Sequence, residues 1–312
     1  MIDYAIYGKI IIDDIRLLDG STVYGVLGGG GPQGAFGARL WADSVGFLSR
    51  SGRDMPEAPL AMLKSLGVDL QGWIQYADLP TLATGLAYDE KQRYVGEHPL
   101  RVPSAERTRL WRTMLGRPIA LPDDYTAPRA IHLITEYWQE PMFKTALELR
   151  EKGAVFSLEP LIDFRKWTNS DALRHVLPLV DIVTPDFPSA SGIAGSEDPL
   201  TVMKHWIGLG TRAVAVRNSQ HGSYVWDRDH DRLWHIPIVP VDVVDPTGAG
   251  NAYGGGWCVG WVETNDARIA GCWGAASASF LVERVGLPAN PSAIRDLARK
   301  RMERALENAK PM

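Results

Sequence analysis

The chain has few of the features that define secreted, membrane or nucleic-acid-binding proteins. Two of its 312 residues are cysteine, Cys258 and Cys272, and both lie in apolar helical patterns. Such a pair is typical of buried thiols in a reducing compartment rather than of a disulfide or a metal site. The sequence has no apolar run near the roughly 20 residues of a membrane span. Its first residues also lack the basic and apolar regions of a signal peptide. We therefore expect a cytoplasmic protein with no membrane partner.

Charge patterns and hydrolase motifs are also sparse. The chain has 33 Lys and Arg against 37 Asp and Glu, which gives a net charge of -4. It has no stripe of basic residues with interleaved aromatics, so nucleic acid is not an expected partner. The sequence contains no zinc-like spacing of His, Asp and Glu and no nucleophile elbow, which disfavours hydrolases of those types. Metal ligands are therefore left unassigned.

What the chain does contain is the pattern of an α/β protein. Hydrophobic residues make up 45% and charged residues 22%, which is ordinary for a domain with a large core. From residue 130 onward, short β-rich runs alternate with helical patterns, which predicts βαβ units and a parallel sheet. Runs at 222–226 and 233–237 flank an acidic turn and predict an antiparallel hairpin. We expect one domain over residues 1–312.

A run of small residues follows an apolar strand pattern that ends at Asp245. These residues open the next helical pattern, so the backbone N–H groups of Gly248, Ala249 and Gly250 can converge on one anion. Larger side chains would block that approach. The segment therefore predicts a phosphate site, and Asn251 follows it directly.

This segment resembles the second signature of the PfkB/ribokinase family of sugar and nucleoside kinases, which reads Asp-Thr-x-Gly-Ala-Gly-Asp. The glycine run and helix from Gly28 to Trp41 resemble the first signature. Gly8 five residues before Asp13, then Gly52-x-Asp54, then the run Arg217 to Gly222 follow the order that the family has. The four-glycine run and the Asn ending are most similar to a divergent branch known from fungal maintenance-of-killer proteins.

The resemblance implies a ribokinase-like α/β fold, a three-layer sandwich in which helices flank a mostly parallel central sheet. It also implies a small β-sheet lid, built here from segments at about 10–26 and 81–96, and a homodimer formed through that lid. The implied activity is phosphoryl transfer to a hydroxyl of a sugar, a nucleoside or a related metabolite. The implied cofactor is ATP or another nucleotide, with Mg²⁺.

The family's motifs also imply roles for individual positions. The implied catalytic positions are Asn251, Asp186 and the amides of Gly248, Ala249 and Gly250. The implied nucleotide-binding positions are Asp245, Thr247, Gly248, Gly250, Arg217 and Gly222. The implied positions for the small-molecule substrate are Asp13, Gly29, Gly30, Gln33 and Glu159.

Two aromatic rings are interpreted from their position in the pattern. Trp138 follows a predicted parallel strand, so it either stacks on a base or sugar ring or packs as a core or interface aromatic. His132 lies inside that strand and is expected to be a core imidazole.

Four motifs depart from the family pattern. The catalytic Asp is Asn251, and the Asn that holds substrate hydroxyls aligns with Pro32 or Gln33. In place of the Asn-x-x-Glu motif that organises Mg²⁺, Asp186 stands for the Asn and the Glu is lost. The family's Asp-Pro-Asn becomes Glu159-Pro160-Leu161.

These departures leave three interpretations open. In the first, the chain is a kinase slowed by loss of its general base, an effect usually worth about 10²–10⁴-fold. In the second, the scaffold performs other acid/base chemistry on a nucleotide or phosphorylated metabolite through Asp186, Glu159 or Glu136. In the third, it is a catalytically silent pseudokinase with a binding role.

Overall fold

The structure is a computed structural model, and it describes residues 1–17, 19–88, 94–96, 104–135, 139–161 and 170–312. The strands in these ranges are β1 Tyr4–Tyr7, β2 Ile11–Arg16, β3 Thr22–Gly28, β4 Val45–Gly52, β5 Trp73–Tyr76, β6 Ala83–Tyr88, β7 Tyr94–Gly96, β8 Ala130–Thr135, β9 Val155–Pro160, β10 Ile182–Val183, β11 Ala213–Arg217, β12 Ser223–Asp227, β13 Arg232–Ile236 and β14 Lys310–Pro311. The helices are α1 Gly31–Arg39, α2 Glu57–Ser65, α3 Ser104–Leu115, α4 Pro141–Glu151, α5 Ser170–Val176, α6 Phe187–Ala194, α7 Pro199–Gly208, α8 Ala249–Thr264, α9 Ala267–Val282 and α10 Arg295–Glu307.

Ten of these strands form a central sheet in the order β14-β13-β12-β11-β10-β9-β8-β1-β4-β5. The strands from β11 to β5 in this order run parallel to their neighbours. At the other end, β12, β13 and β14 are antiparallel, and β12 and β13 form the predicted hairpin. The mostly parallel α/β sheet predicted from the alternating pattern is therefore confirmed.

Helices cover both faces of the central sheet. On one face, Phe143 of α4 and Trp206 of α7 pack with Phe156 of β9. On the other face, Phe36 of α1 packs in a second cluster with Phe47 of β4 and with residues of α8 and α9. Alternating strand residues supply the two clusters because successive side chains point to opposite faces of a strand. The expected ribokinase-like sandwich of three layers is confirmed.

Both cysteines belong to the helical layer that contains α8 and α9. Cys258 and Cys272 are buried and unpaired. Burial raises the pKa of each thiol to about 12, because the thiolate loses its hydration. Both thiols therefore stay protonated at neutral pH. In the described part of the chain, the helices include none long and apolar enough to cross a membrane.

A second sheet of four strands forms apart from the central one, in the order β3-β2-β6-β7. Its strands come from the two segments that were predicted to form a lid, although Leu18 and residues 89–93 lie outside the described residues. β2 is antiparallel to β3 and parallel to β6. A bulge places Tyr24 and Gly25 opposite Asp14, and the Gly25 N–H donates to Asp14 Oδ1 (2.9 Å). Such bulges bend the strand that contains them.

The helices that follow the two glycine-rich signatures pack at backbone contact distance. A Cβ on Gly37 of α1 would collide with the backbone of Ala252 on α8, and a Cβ on Gly255 would collide with the backbone of Gly34. A Cβ on Gly256 would likewise collide with Ser277 of α9. The glycines of α1 and α8 therefore allow the helices to approach closely, although each Gly within a helix costs about 1 kcal/mol relative to Ala.

Candidate active site

The first turn of α8 presents backbone N–H groups that are available to an anion. Gly248 caps the helix with a φ of 77°, in the left-handed region that favours Gly. The Ala249 N–H donates to the Pro246 carbonyl (3.3 Å), but the N–H groups of Gly248, Gly250 and Asn251 have no acceptor within the described ranges. N–H groups at a helix start lack intrahelical partners and lie at the positive end of the helix dipole. An anion can therefore bind here. The predicted amides ended at Gly250, whereas the free N–H groups extend to Asn251.

Gln33 of α1 closes this turn from the opposite side. Its Nε2 donates to the Leu27 carbonyl (2.9 Å), and its Oε1 accepts the Gly30 N–H (3.2 Å). A Cβ on Gly248 would collide with the Gln33 side chain. Gln33 is 2% exposed, so its amide holds the turn at Gly30. The amide keeps one further N–H and one further lone pair, so its predicted contact with an acceptor hydroxyl stays a prediction.

Arg217, at the end of β11, lies directly against the turn. A Cβ on Gly250 would collide with its Nη1 atom. The same Nη1 donates to Oε1 of Glu159 (2.8 Å), and the two side chains are 11% and 0% exposed. A guanidinium has a permanent positive charge and a fixed set of donors. Arg217 therefore adds a cation to the anion site, on the side predicted for the nucleotide.

Asn251, at the position of the family's base, contacts both halves of the site. Its Nδ2 donates to Oε1 of Glu159 (2.8 Å). On its other side, a Cβ on Gly30 would lie 3.0 Å from the same Nδ2. The amide thus lies between a glycine of the first signature and a buried carboxylate. It can hydrogen-bond an acceptor hydroxyl, but it cannot take the proton.

Glu159 also connects to two buried side chains that the sequence did not assign to the site. Its Oε2 lies 3.3 Å from Nε2 of His132, and Nδ1 of His132 is hydrogen-bonded to Oγ of Ser157 (2.8 Å). All three residues are fully buried. His132 is the core imidazole expected from the sequence, but its contact with Glu159 was missed. A signal was present in the sequence. Ser157 and Glu159 are two residues apart on β9, so their side chains share a face, and His132 lies opposite Ser157 on the neighbouring strand β8.

Asp13 of β2 occupies the predicted acceptor side. It is 3% exposed, and its Oδ1 has no hydrogen-bond partner among the described residues. Burial raises its pKa to about 8, Lys9 opposes the shift, and the nearby carboxylates of Asp14 and Asp245 add to it. A Cβ on Gly28 would collide with the Asp13 carboxylate, so a glycine at position 28 makes room for the Asp13 side chain. The arrangement leaves one carboxylate oxygen for an acceptor hydroxyl.

A cluster of buried charges adjoins Asp13 and was not predicted. Nζ of Lys9 lies 3.8 Å from the centre of the Trp111 ring. Arg50 donates from Nη1 to the hydroxyl of Tyr7 (2.7 Å), and burial raises the pKa of Glu140, with Arg50 and Lys9 opposing the shift. Arg50 Nη2 and Glu140 Oε1 have no hydrogen-bond partner among the described residues. Sequence patterns missed this cluster because its members come from four distant segments.

Asp245 and Thr247 form the predicted turn before the cradle. Oδ1 of Asp245 accepts the N–H (3.0 Å) and the hydroxyl (2.6 Å) of Thr247. Its Oδ2 is buried and has no hydrogen-bond partner in the described part of the chain. Desolvation raises the pKa of this carboxyl, and the bonds from Thr247 oppose the shift. Asp245 therefore shapes the turn and retains one oxygen for a further ligand.

Two further predicted positions, Asp186 and Gly222, lie at the edge of this constellation. Asp186 caps α6, and its two oxygens accept the N–H (2.9 Å) and the hydroxyl (3.0 Å) of Ser189. Its backbone bridges to Arg217, so the cap adjoins the site. Gly222 has a φ of 82° at the start of the hairpin, where a Cβ would collide with the Ile236 carbonyl. Trp138 falls outside the described residues, as does Glu136.

The residues present fit a bound nucleotide better than a preformed metal cage. Unpaired helix-start amides beside the Arg217 guanidinium suit phosphate oxygens. Within the described ranges, no group of three or more His, Cys, Asp and Glu side chains is placed to hold a metal ion. Mg²⁺ that is coordinated mainly by phosphates and water needs one or two carboxylates, for which Asp245 and Asp186 are available.

A cleft of about 640 Å³ lies between the segment that precedes the cradle and α10. Its walls include Val239, Asp242, Glu283 and Arg301. None of the predicted site residues lines this cleft, so we assign the active site from its chemistry rather than from the size of a cavity.

Known proteins resemble the chain over most of its length. A cytidine kinase of Thermococcus kodakarensis is 28% identical over 262 residues, which cover 84% of this chain and 89% of that protein. The fold also matches a nucleoside kinase of Burkholderia thailandensis in complex with inosine, with a TM-score of 0.71, 18% identity, and coverage of 97% and 96% of the two chains. An E. coli protein assigned as ribokinase II, in complex with ATP and Mg²⁺, matches with a TM-score of 0.71, 18% identity, and coverage of 97% and 100%. At such identities the two structures establish a common fold.

The family model for pfkB carbohydrate kinases matches residues 1–293, which include both glycine-rich signatures, Asp13 and the Glu159 strand. The order of the elements, the anion site at the start of α8 and the opposing glycine turn agree with that match. The chain therefore belongs to the pfkB family of carbohydrate kinases.

Proposed function

We propose that the protein transfers the γ-phosphoryl group of ATP, or of another nucleotide, to a hydroxyl of a nucleoside or sugar. The observation that carries this proposal is the turn at Gly248–Asn251, where three of the four N–H groups have no acceptor in the described ranges. The turn adjoins the Arg217 guanidinium and faces Gly30 of the predicted acceptor side. Phosphoryl transfer relies mainly on positioning and on stabilisation of charge. This turn provides both at one place.

The phosphate side is built from backbone amides and one cation. The N–H groups of Gly248, Gly250 and Asn251 would bind oxygens of the transferring group, and Arg217 would offset its negative charge. The nucleotide would bring Mg²⁺, which neutralises phosphate charge, with Asp245 and Asp186 on the cation side. Each of these protein groups is already held in place by its neighbours.

The acceptor side favours an uncharged, hydroxylated compound. The buried groups there include three carboxyl groups, Asp13, Asp14 and Glu140, and two cations, Lys9 and Arg50. A bound ion would add the desolvation cost of several kcal/mol that each buried charge carries, whereas a hydroxyl group can hydrogen-bond these groups as a donor or an acceptor. The carboxyl group of Asp13 would bind the acceptor hydroxyl. The similarity to a cytidine kinase of T. kodakarensis and to a nucleoside kinase in complex with inosine supports a nucleoside as the first acceptor to test.

The proton of the acceptor hydroxyl determines the expected rate. Asn251 can accept a hydrogen bond from this hydroxyl through Oδ1, but the proton must leave to water after the new P–O bond has formed. A loose transition state needs little early deprotonation, so the reaction proceeds without a base. We expect turnover to be slower by about 10²–10⁴-fold than in a family member with a carboxylate at this position.

The test is a product assay with ATP, Mg²⁺ and a panel of nucleosides and sugars, including cytidine and inosine. The proposal expects ADP and a phosphorylated acceptor in equal amounts, and both should disappear in Gly250→Val. Turnover of a phosphorylated metabolite without ADP would replace this proposal with the second interpretation, a scaffold rebuilt for other acid/base chemistry. Nucleotide binding without any product would leave a pseudokinase.

A further inference from the structure

We propose that Glu159 is a positioning residue that orients the Asn251 amide and anchors Arg217 beside the phosphate turn, and that its buried carboxylate is what makes Asn the compatible residue at 251. This inference deepens the proposed function and rests on it for its consequences for turnover. The pairing itself can be measured without any turnover.

The contacts of Glu159 reach three elements at once. Its Oε1 accepts from Asn251 Nδ2 of α8 (2.8 Å) and from Arg217 Nη1 of β11 (2.8 Å). Its Oε2 faces His132 of β8 (3.3 Å). Glu159 is fully buried, so these neighbours set the position of the carboxylate. An ionised carboxylate accepts hydrogen bonds only, so it requires a donor at position 251.

The helix opposite Glu159 is shaped to admit this side chain. A Cβ on Gly254 of α8 would collide with Oε2 of Glu159 and would lie 2.8 Å from Nε2 of His132. Ala would normally stabilise a helix interior by about 1 kcal/mol relative to Gly. Gly254 therefore leaves the volume that the carboxylate fills, which marks the Glu159 position as a built feature of the site.

An Asp at 251 would face Glu159 across the distance that a hydrogen bond now spans. Two carboxylates at such a distance cannot both ionise without a large penalty, so one of them holds a proton near neutral pH. The proton is then shared, and its apparent pKa belongs to the pair. Restoring the family's Asp by one substitution therefore does not restore a base at pH 7.

The double substitution removes this conflict. In Asn251→Asp with Glu159→Gln, the Gln amide can donate to the new Asp, which keeps the bond and reverses its direction. The Asp is then ionised at pH 7 and can take the acceptor proton as the hydroxyl oxygen attacks phosphorus. In that step the O–H bond breaks, the new P–O bond forms, and the bond from phosphorus to the leaving nucleotide oxygen breaks with its electron pair.

The experiment compares wild type, Asn251→Asp, Glu159→Gln and the double variant in ADP formation from pH 6 to 9 and in thermal unfolding. We expect Asn251→Asp to lose turnover at pH 7 and to recover it as the pH rises. The double variant should exceed Asn251→Asp by about 10²–10⁴-fold at pH 7, with its ascending limb at lower pH. In thermal unfolding, the double variant should be more stable than the sum of the two single effects.

A matched control is available on the surface. Asn265 donates from Nδ2 to Asp229 Oδ2 (2.9 Å), and the Asp229 side chain is 45% exposed. Asn265→Asp creates the same pair of carboxylates in water, so it should change the melting temperature little and leave turnover unaltered. As a second probe, Gly254→Ala should displace Glu159 and lower turnover without changing a charge, because its Cβ would collide with Glu159 Oε2.

The outcomes separate this inference from the proposed function. Equal gains in Asn251→Asp and in the double variant, or additive effects on thermal unfolding, would overturn the pairing whether or not the protein is a kinase. Non-additive effects of the two substitutions on thermal unfolding, with no ADP from any variant, would uphold the pairing and reject the kinase proposal.

Discussion

Gly250 and Arg217 share a space so tight that no side chain fits on Gly250 while Arg217 keeps its bond to Glu159. The guanidinium end of Arg217 could move, but it would then leave a fully buried carboxylate without its cation. An uncompensated buried charge is strongly destabilising. The glycine at this position is therefore required by a side chain as well as by an anion.

The first prediction follows from that relationship. Gly250→Val should weaken nucleotide binding by about 100-fold or more, which corresponds to about 3 kcal/mol. Isothermal calorimetry with ATP and Mg²⁺ measures this change. The control is Gly208→Ala, since a Cβ at Gly208 of α7 would have no neighbour within 4 Å. Equal affinities for wild type and Gly250→Val would remove the cradle from the nucleotide site.

The second prediction concerns pH and Asp13. Its pKa is raised from 3.8 to about 8 in the folded protein, so the folded state keeps a proton that the unfolded state has released between those values. The free energy of unfolding should therefore fall as the pH rises, by about 1.4 kcal/mol per pH unit, until the loss is complete above pH 8. Asp13→Asn has no carboxyl group at this position, so its free energy of unfolding should not show this fall.

Thermal unfolding in the absence of ligands tests this prediction. The melting temperature of Asp13→Asn should exceed that of wild type by a margin that grows from pH 5 to pH 8. Asp242→Asn, at an exposed position, should follow wild type. A constant difference across this range would contradict the assignment of the titration to Asp13.

The third prediction separates the two possible roles of Asp186. Asp186 and Asp198 both cap the start of a helix, since each accepts the N–H and the hydroxyl of the residue three positions later. Replacing either by Ala should cost about 1 kcal/mol of stability. If Asp186 also serves the cation side, then Asp186→Ala alone should lower kcat, by more than about tenfold. Equal kcat values for the two variants would reduce Asp186 to a helix cap.

The fourth prediction concerns assembly through the lid. β3 pairs with β2 as the outer strand of the small sheet in the described residues, and Tyr24 on it is 71% exposed. Exposed strand edges invite pairing unless they are covered. We expect a homodimer by light scattering at micromolar concentration, and Tyr24→Lys should shift it towards monomer. Leu200→Lys, on α7 and outside the small sheet, should not shift the dimer towards monomer. A monomeric wild type would refute the prediction.

Sequence patterns predicted the parts of this protein that depend on neighbouring residues. The alternation from residue 130 predicted the parallel sheet, and the small residues after Asp245 predicted a helix start with free amides. The contacts of Glu159 with Arg217 and Asn251 were out of reach because these partners lie 58 and 92 residues away. Which strands become neighbours depends on the whole sheet order, and no local pattern encodes it.

The structural roles of polar residues inside the fold were missed for a related reason. Gln33 was predicted to bind substrate, which stays a prediction, but its part in fixing the turn at Gly30 was not predicted. Glu140 and Arg50 were not predicted because a charged residue in a short pattern usually indicates an exposed position. Both are buried, and each keeps a polar atom unpaired within the described residues.

The backbone contact between α1 and α8 has a consequence for how the protein responds to ligands. Because Gly34 and Gly37 touch Gly255 and Ala252 without intervening side chains, the two helices cannot move closer together without a collision of their backbones. We therefore expect the separation of the two glycine-rich turns to be set during folding, so that neither substrate has to bring the other's site into register. Rigid sites lose little entropy on binding, and we expect adjustments to acceptors of different size to occur in the four-stranded sheet. Differences among acceptors should therefore appear in the dynamics of that sheet, while the two signature helices keep the same protection against amide exchange.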